Sequence, residues 1–216
     1  MSSSLPVDNS VIQPLQIDQT ANVGENLVSA KETHEGVANS STPRTCSSTV
    51  PLSVFRQVDV EVELLIEMLH NAAVPDDLLP GRDADHHGAQ VEAARESLLA
   101  LTRQFVDDSQ RLVSGATRSV DALVAGVEPS LITLTRLAGE CQSTAALLTS
   151  PSQGVMLVGR VRDLAQAYRS TVSATQSAVG RPFNSMEMKS LMRQATSLAA
   201  ILSSLIKMLN RTDIIC

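Results

Sequence analysis

Aromatic residues are almost missing from this chain. There is no tryptophan, and Phe55, Phe105, Tyr168 and Phe183 are all the aromatic side chains in 216 residues. A sheet protein would be richer in aromatic and β-branched runs. Here Ala, Leu, Val and Ser dominate, which suits close-packed helices. Cysteine is scarce as well: Cys46, Cys141 and Cys216 are odd in number, widely spaced and form no CxxC pair. That pattern argues against a disulfide framework or a zinc site and points to a reducing compartment. No run of about 18 apolar residues exists, so no membrane-spanning helix is expected. The opening "MSSSLPVDNSVIQ" lacks the basic and apolar regions of a secretory signal. A cytoplasmic location is the expectation. The phosphate loop GxxxxGK[ST], the zinc helix HExxH and the nucleophile turn GxSxG are also absent. No catalytic residue, cofactor or metal ligand is therefore predicted.

What is present is an apolar content of 43 %, enough for a sizeable core, and a net charge of −6, which argues against a nucleic-acid binder. The charge is uneven. Residues 1–50 carry two basic and five acidic groups, residues 51–90 two basic and eight acidic, and residues 150–216 eight basic and three acidic. The two ends of the chain thus have opposite signs.

Residues 1–50, with "SSTPRTCSST" and no apolar period, read as a disordered Ser/Thr/Pro-rich linker. Thr42-Pro43 would suit a proline-directed kinase, or is simply part of a plain linker. From Pro51 the texture becomes helical. A first helix, 52–73, has Val58, Val62, Leu65 and Leu69 on one face, widened by Phe55, Leu64, Ile66 and Met68. "VPDDLLPGRDADHHG" breaks the pattern. A second helix, 87–113, keeps heptad phase through Val91, Ala94, Leu98, Leu101, Phe105 and Leu112, interrupted at Asp108, with Ser114-Gly115 as its stop. A third, 117–149, holds phase across Pro129 and is expected to be one kinked helix. Ser150-Pro151 opens a fourth, 151–180, which Gly180 and Pro182 end. Asn184, with Glu187 three residues on, is expected to cap a fifth, 184–211. Short connections make neighbours antiparallel. The fold prediction is all-α: an up-and-down antiparallel bundle of five helices, residues 51–216, about 40 Å long, behind the N-terminal tail.

The last helix carries more apolar surface than one neighbour can cover. Met188, Leu191, Ala195, Leu198, Leu202, Leu205 and Leu209 form a seam, Met192, Ala199 and Ile206 a second row, and Ile201 and Met208 a third. Either several helices of its own bundle surround it, or a partner does.

Three stretches resemble a known class. "VFRQVDVEVELLIEML" is similar to the first helix of focal adhesion targeting domains and "LAQAYRSTV" to part of their third. "LMRQATSLAAILSSLIKML" resembles the last helix of the Cas-type C-terminal bundle. Talin and vinculin bundles are a looser resemblance. The likeness covers residues 52–211, but focal adhesion targeting domains have four helices rather than five, and the third helix here is longer and contains Pro129. It implies a non-catalytic adaptor or scaffold module in cytoskeletal or adhesion signalling, which binds acidic amphipathic helices, actin or other adaptors.

The basic edges of the last two helices are the candidate partner-binding site. Arg160, Arg169, Lys189, Arg193, Lys207 and Arg211, with Met192, Ile201 and Met208, would suit an acidic amphipathic helix docking by its leucines. A solvated basic face matched by the acidic first helix is the plainer reading. The alternative function is a membrane- or actin-binding tail using the same face. The first helix, with Asp59, Glu61, Glu63 and Glu67, is expected to pack on this basic side as an internal counterpart of the ligand and to detach first; the plainer reading is an ordinary permanent core helix. Asp76, Asp77, Asp83, Asp85, His86 and His87 could in principle hold a cation, but an acidic connector explains them better. Cys141 reads as a buried structural thiol. "TDIIC" at the end is either a frayed terminus or a strand for a PDZ groove.

Overall fold

Helical periodicity runs through nearly every segment between Leu52 and Leu209, and the computed structural model, which describes residues 52–72 and 84–211, turns it into five α-helices. They are α1 (Leu52–His70), α2 (Ala84–Arg118), α3 (Val120–Leu147), α4 (Pro151–Ala178) and α5 (Met186–Leu209). No strand occurs among the described residues. The expected tail at residues 1–50, Thr42-Pro43, the side chains of Asp76, Asp77, Asp83, Asp85 and His86, and the terminal "TDIIC" lie outside the described residues.

Successive helices alternate in direction. Asp108 of α2 meets Thr133 of α3, Ser130 of α3 meets Tyr168 of α4, and Arg95 near the start of α2 reaches Leu209 at the end of α5. The helix α1 packs on α4 and α3, and α5 packs on α4 and α2. The seam read from the last helix is the buried side of α5: Met188, Leu191, Leu198, Leu202, Leu205 and Leu209 are all buried. Its second and third rows, including Met192, Ile201, Ile206 and Met208, are half-buried against the same core, so the bundle itself takes up most of that extra apolar surface.

Most helix boundaries shift by a few residues from expectation, and two of the shifts have a specific physical cause. The predicted stop at Ser114-Gly115 does not stop α2, which continues to Arg118 and turns through a single residue, Ser119, into α3. Ser119 is extended (φ −163°, ψ 165°) and its hydroxyl accepts from the Ala122 N–H at 3.1 Å. So abrupt a turn forces the two helix backbones together. A Cβ on Gly115 would lie 2.6 Å from the Ala122 carbonyl oxygen, and one on Gly126 2.9 Å from the Leu112 Cα. Gly115 is there for thickness rather than for a left-handed cap. The second correction is at α5, whose cap is Ser185 rather than Asn184. The Ser185 hydroxyl accepts from the Met188 N–H at 3.1 Å. Glu187 therefore stands at the second helical position. Its own backbone N–H and the Ser185 hydroxyl hold its carboxyl below the usual range.

Pro151 opens α4 after Ser150, whose hydroxyl makes no capping hydrogen bond to the helix and instead lies 2.8 Å from Ser152 Oγ. Gly180 (φ +73°) follows the end of that helix in the left-handed conformation glycine tolerates. Helix α3 runs unbroken through Pro129. Pro129 and Ala125 are both exposed, so the carbonyl that loses its N–H partner lies on the water side. Leu64, expected to widen the apolar face of the first helix, is instead 59 % exposed.

Candidate functional site

The centre of the bundle is polar in an ordered way. Tyr168 is fully buried, with its ring edge-on to Phe105 at 5.5 Å between centroids. Its hydroxyl lies 2.8 Å from Ser130 Oγ, which in turn reaches the Gly126 and Val127 carbonyls at 2.9 and 2.8 Å. Burial pushes the phenol pKa well up, so it stays a neutral donor and acceptor. Asp108, read from the sequence as an interruption of the apolar row, sits inside the core. It accepts from Thr133 Oγ1 at 2.7 Å and from Arg111 Nη1 at 3.0 Å. These groups satisfy one another's hydrogen bonds, as polar groups inside a packed core must. Cys141 is buried, and burial alone pushes its thiol up to about 12, which makes it a poor nucleophile. Among the described residues no three His, Cys, Asp or Glu side chains stand where they could share a metal ion.

Open surface with shape lies elsewhere. A groove of about 670 Å³ runs over the outer side of α4 beside the first half of α5. Its floor is small: Ser170, Ser173, Ala174 and Ser177. Its α5 wall is Met186, Glu187, Ser190, Arg193 and Gln194, and Asp59 with Arg169 closes it toward α1. Four small residues on successive turns of α4 let another backbone approach closely. Met186 is 70 % exposed, an apolar contact at the rim.

The predicted partner-binding residues do not form one surface. Arg169 and Arg193 both line this groove. Lys189 is exposed near the same end of α5. Arg160, Lys207 and Arg211 are exposed near the opposite end of the antiparallel pair, about 20 Å from Arg193 along the axis at 1.5 Å per residue. Met192, Ile201 and Met208 are half-buried. Met192 and Ile201 are nine residues apart, about two and a half turns, so they occupy opposite flanks of the α5 seam.

Arg169 is not a free charge. It donates to the carboxylates of both Asp59 and Glu63 on α1. Its guanidinium beside Asp59 holds that carboxyl below the ordinary carboxylate range. At the far end of α1, Gln142 Nε2 donates to the Met68 carbonyl at 3.2 Å, and His70 stands 3.5 Å from Arg162. The acidic helix therefore meets the basic side on α4. Sequence reasoning missed Met186 and the small floor of α4. The available signal was the spacing of Ser170, Ser173, Ala174 and Ser177, which lies off the apolar face that periodicity picks out.

No known protein-family profile matches the chain. Individual relatives do. The chain is 34 % identical over 132 residues to the talin of Oscarella pearsei, a match covering 60 % of this chain and 5 % of that protein. It is 33 % identical over 115 residues to human talin-2, covering 52 % of this chain and 4 % of the relative, and 32 % identical over 115 residues to talin-1 of Gallus gallus. The chain thus spans about one-twentieth of the length of the talins it matches. Of the adhesion bundles named from sequence texture, the talins are the ones these matches support: over more than half its length this chain is a helical bundle similar to a short segment of talin.

Proposed function

We propose that this chain is a non-catalytic adaptor module of a cytoskeletal or adhesion scaffold inside the cell, and that it binds amphipathic helical segments of other proteins along the α4–α5 groove. The observation that carries the reading is the groove itself: a small-residue floor between an apolar rim at Met186 and the cation of Arg193, which makes no ion pair among the described residues. A docked helix would lay small or leucine side chains on Ser170, Ser173 and Ser177 and set a carboxylate against Arg193. Two further features agree with it. The internal acids Asp59 and Glu63 already occupy Arg169, as a partner's acids would. The similarity to talin segments also favours a structural role in adhesion over catalysis.

The test is a titration of acidic amphipathic helical peptides into the full chain. Ser173→Arg, which fills the floor, and Arg193→Glu, which reverses the cation, should each weaken binding about tenfold or more, while Arg160→Glu at the other end should leave it unchanged. Asp59→Ala with Glu63→Ala frees Arg169 and should strengthen it. Equal affinity in the Ser173→Arg chain would remove the groove from the account.

A further inference from the structure

A second surface lies at the end of the bundle, away from the groove floor. Because helices alternate, the one-residue turn at Ser119, the α4–α5 turn from Val179 to Ser185 and the start of α1 share one end. Here the two most exposed large apolar residues of the described chain stand three positions apart, Phe183 at 63 % and Met186 at 70 % exposure. The turn that presents Phe183 is well defined. Gly180 is left-handed, the Arg181 N–H donates to the Ala178 carbonyl at 2.9 Å, and the Ser185 N–H donates to the Pro182 carbonyl at 3.0 Å. Phe183 is thus held out in water by a built turn rather than left on a fraying terminus.

The charges at this end are mostly positive. Arg118 closes α2, Arg181 precedes Phe183, Lys189 follows Met186 by one turn, and Arg56 lies in the second turn of α1; all four are exposed. The acids nearby are Asp121 and Glu187, and Glu187 is engaged at the α5 cap. Asp59 is paired with Arg169.

We infer that this end docks on an anionic lipid bilayer, with Phe183 and Met186 entering the interface and Arg118, Arg181 and Lys189 facing the headgroups. The shape decides between a membrane and a protein. Phe183 sits in the exposed α4–α5 turn and Met186 on the first helical residue after it, both largely in water at the end of the bundle, and a protein would need a cavity matched to both side chains. A bilayer interface is fluid and receives an aromatic and a thioether without a preformed pocket, while the cations stay at headgroup depth. No described helix is long and apolar enough to cross a membrane, so the contact would be superficial.

The absence of tryptophan from the chain gives a clean probe. Phe183→Trp in the full chain should show a blue-shifted emission and shielding from a soluble quencher on mixed phosphatidylserine–phosphatidylcholine vesicles, and no change on pure phosphatidylcholine. In cosedimentation, Phe183→Ser with Met186→Ser should lower the bound fraction about tenfold with circular dichroism unchanged, since both side chains are already in water. Arg181→Glu with Lys189→Glu should do the same. Ser173→Arg should bind vesicles normally even where it blocks peptides, which separates this surface from the groove. No vesicle binding at all, or binding that survives Phe183→Ser with Met186→Ser, overturns the inference.

Discussion

The α2–α3 hairpin and the α1–α4 seam are two solutions to the same problem of pressing one helix on another. In the hairpin the backbones nearly touch. Gly115 and Gly126 each leave room for a neighbouring backbone, and a buried carboxylate, Asp108, is matched to Thr133 across the contact. In the seam, α1 contributes a single buried row, Phe55, Val58, Val62, Leu65 and Leu69, and its polar ties are exposed. At 19 residues it is the shortest of the five described helices, against 35 for α2. Close backbone contact has no slack, so it is strong and intolerant of substitution. Ion pairs of half-exposed side chains are tolerant and weak. The molecule thus joins a rigid hairpin to a first helix held mainly by its apolar row.

The sharpest way to break the contrast is at the glycines. Gly126→Val places atoms against the Leu112 backbone and should cost about 3 kcal/mol or more in urea unfolding. Gly139 lies in the same helix with nothing near its Cβ position, so Gly139→Ala should instead gain roughly 0.5–1 kcal/mol from helix propensity. If Gly126→Val matches the parent, the hairpin is not close-packed. Next in size is Thr133→Val, which leaves Asp108 Oδ2 buried without its donor and should cost about 2 kcal/mol by the same measurement.

Native-state hydrogen exchange sharpens the other side. Amides of Val58 to Leu69 should exchange about tenfold faster or more than those of Leu198 to Leu205, because α1 can open without unseating the other four helices. Equal protection would mean that α1 is locked into the core and does not compete with an incoming acidic helix. The smallest effect is expected at the ionic tie. A double-mutant cycle on Asp59 and Arg169 should give a coupling of roughly 0.5 kcal/mol that fades with salt. Its pH dependence has a definite sign. The folded-state carboxyl of Asp59 is depressed, so the contribution is present above the unfolded carboxylate pKa and is lost as pH falls through the folded value. Acid should loosen α1 below about pH 4, and Arg169→Ala should remove that component.

The site was less legible than the fold. The cations of α4 and α5 are easy to find in sequence, but grouping them needs the third dimension. Arg193 and Arg169 share a groove, whereas Lys207 and Arg211 belong to the other end. Whether a charge is free is a tertiary fact too, since the carboxylates on Arg169 come from 106 and 110 residues away.

By itself the sequence determined the helices and the buried face of each, because both follow from spacing at 3.6 residues per turn, a property internal to each segment. The seam from Met188 to Leu209 and the continuity of α3 through Pro129 are of this kind, and the left-handed Gly180 just past α4 is a signal equally local to its segment. What only the tertiary structure decided concerns groups whose meaning depends on another helix. Gly115 looks like a stop until Ala122 lies against it, and Asp108 looks like a flaw until Thr133 meets it. Ser170, Ser173 and Ser177 look like an ordinary wet face until α5 and α1 make them the floor of a groove. Periodicity is written along one chain segment, but contact between segments depends on their register and distance, which no single segment encodes.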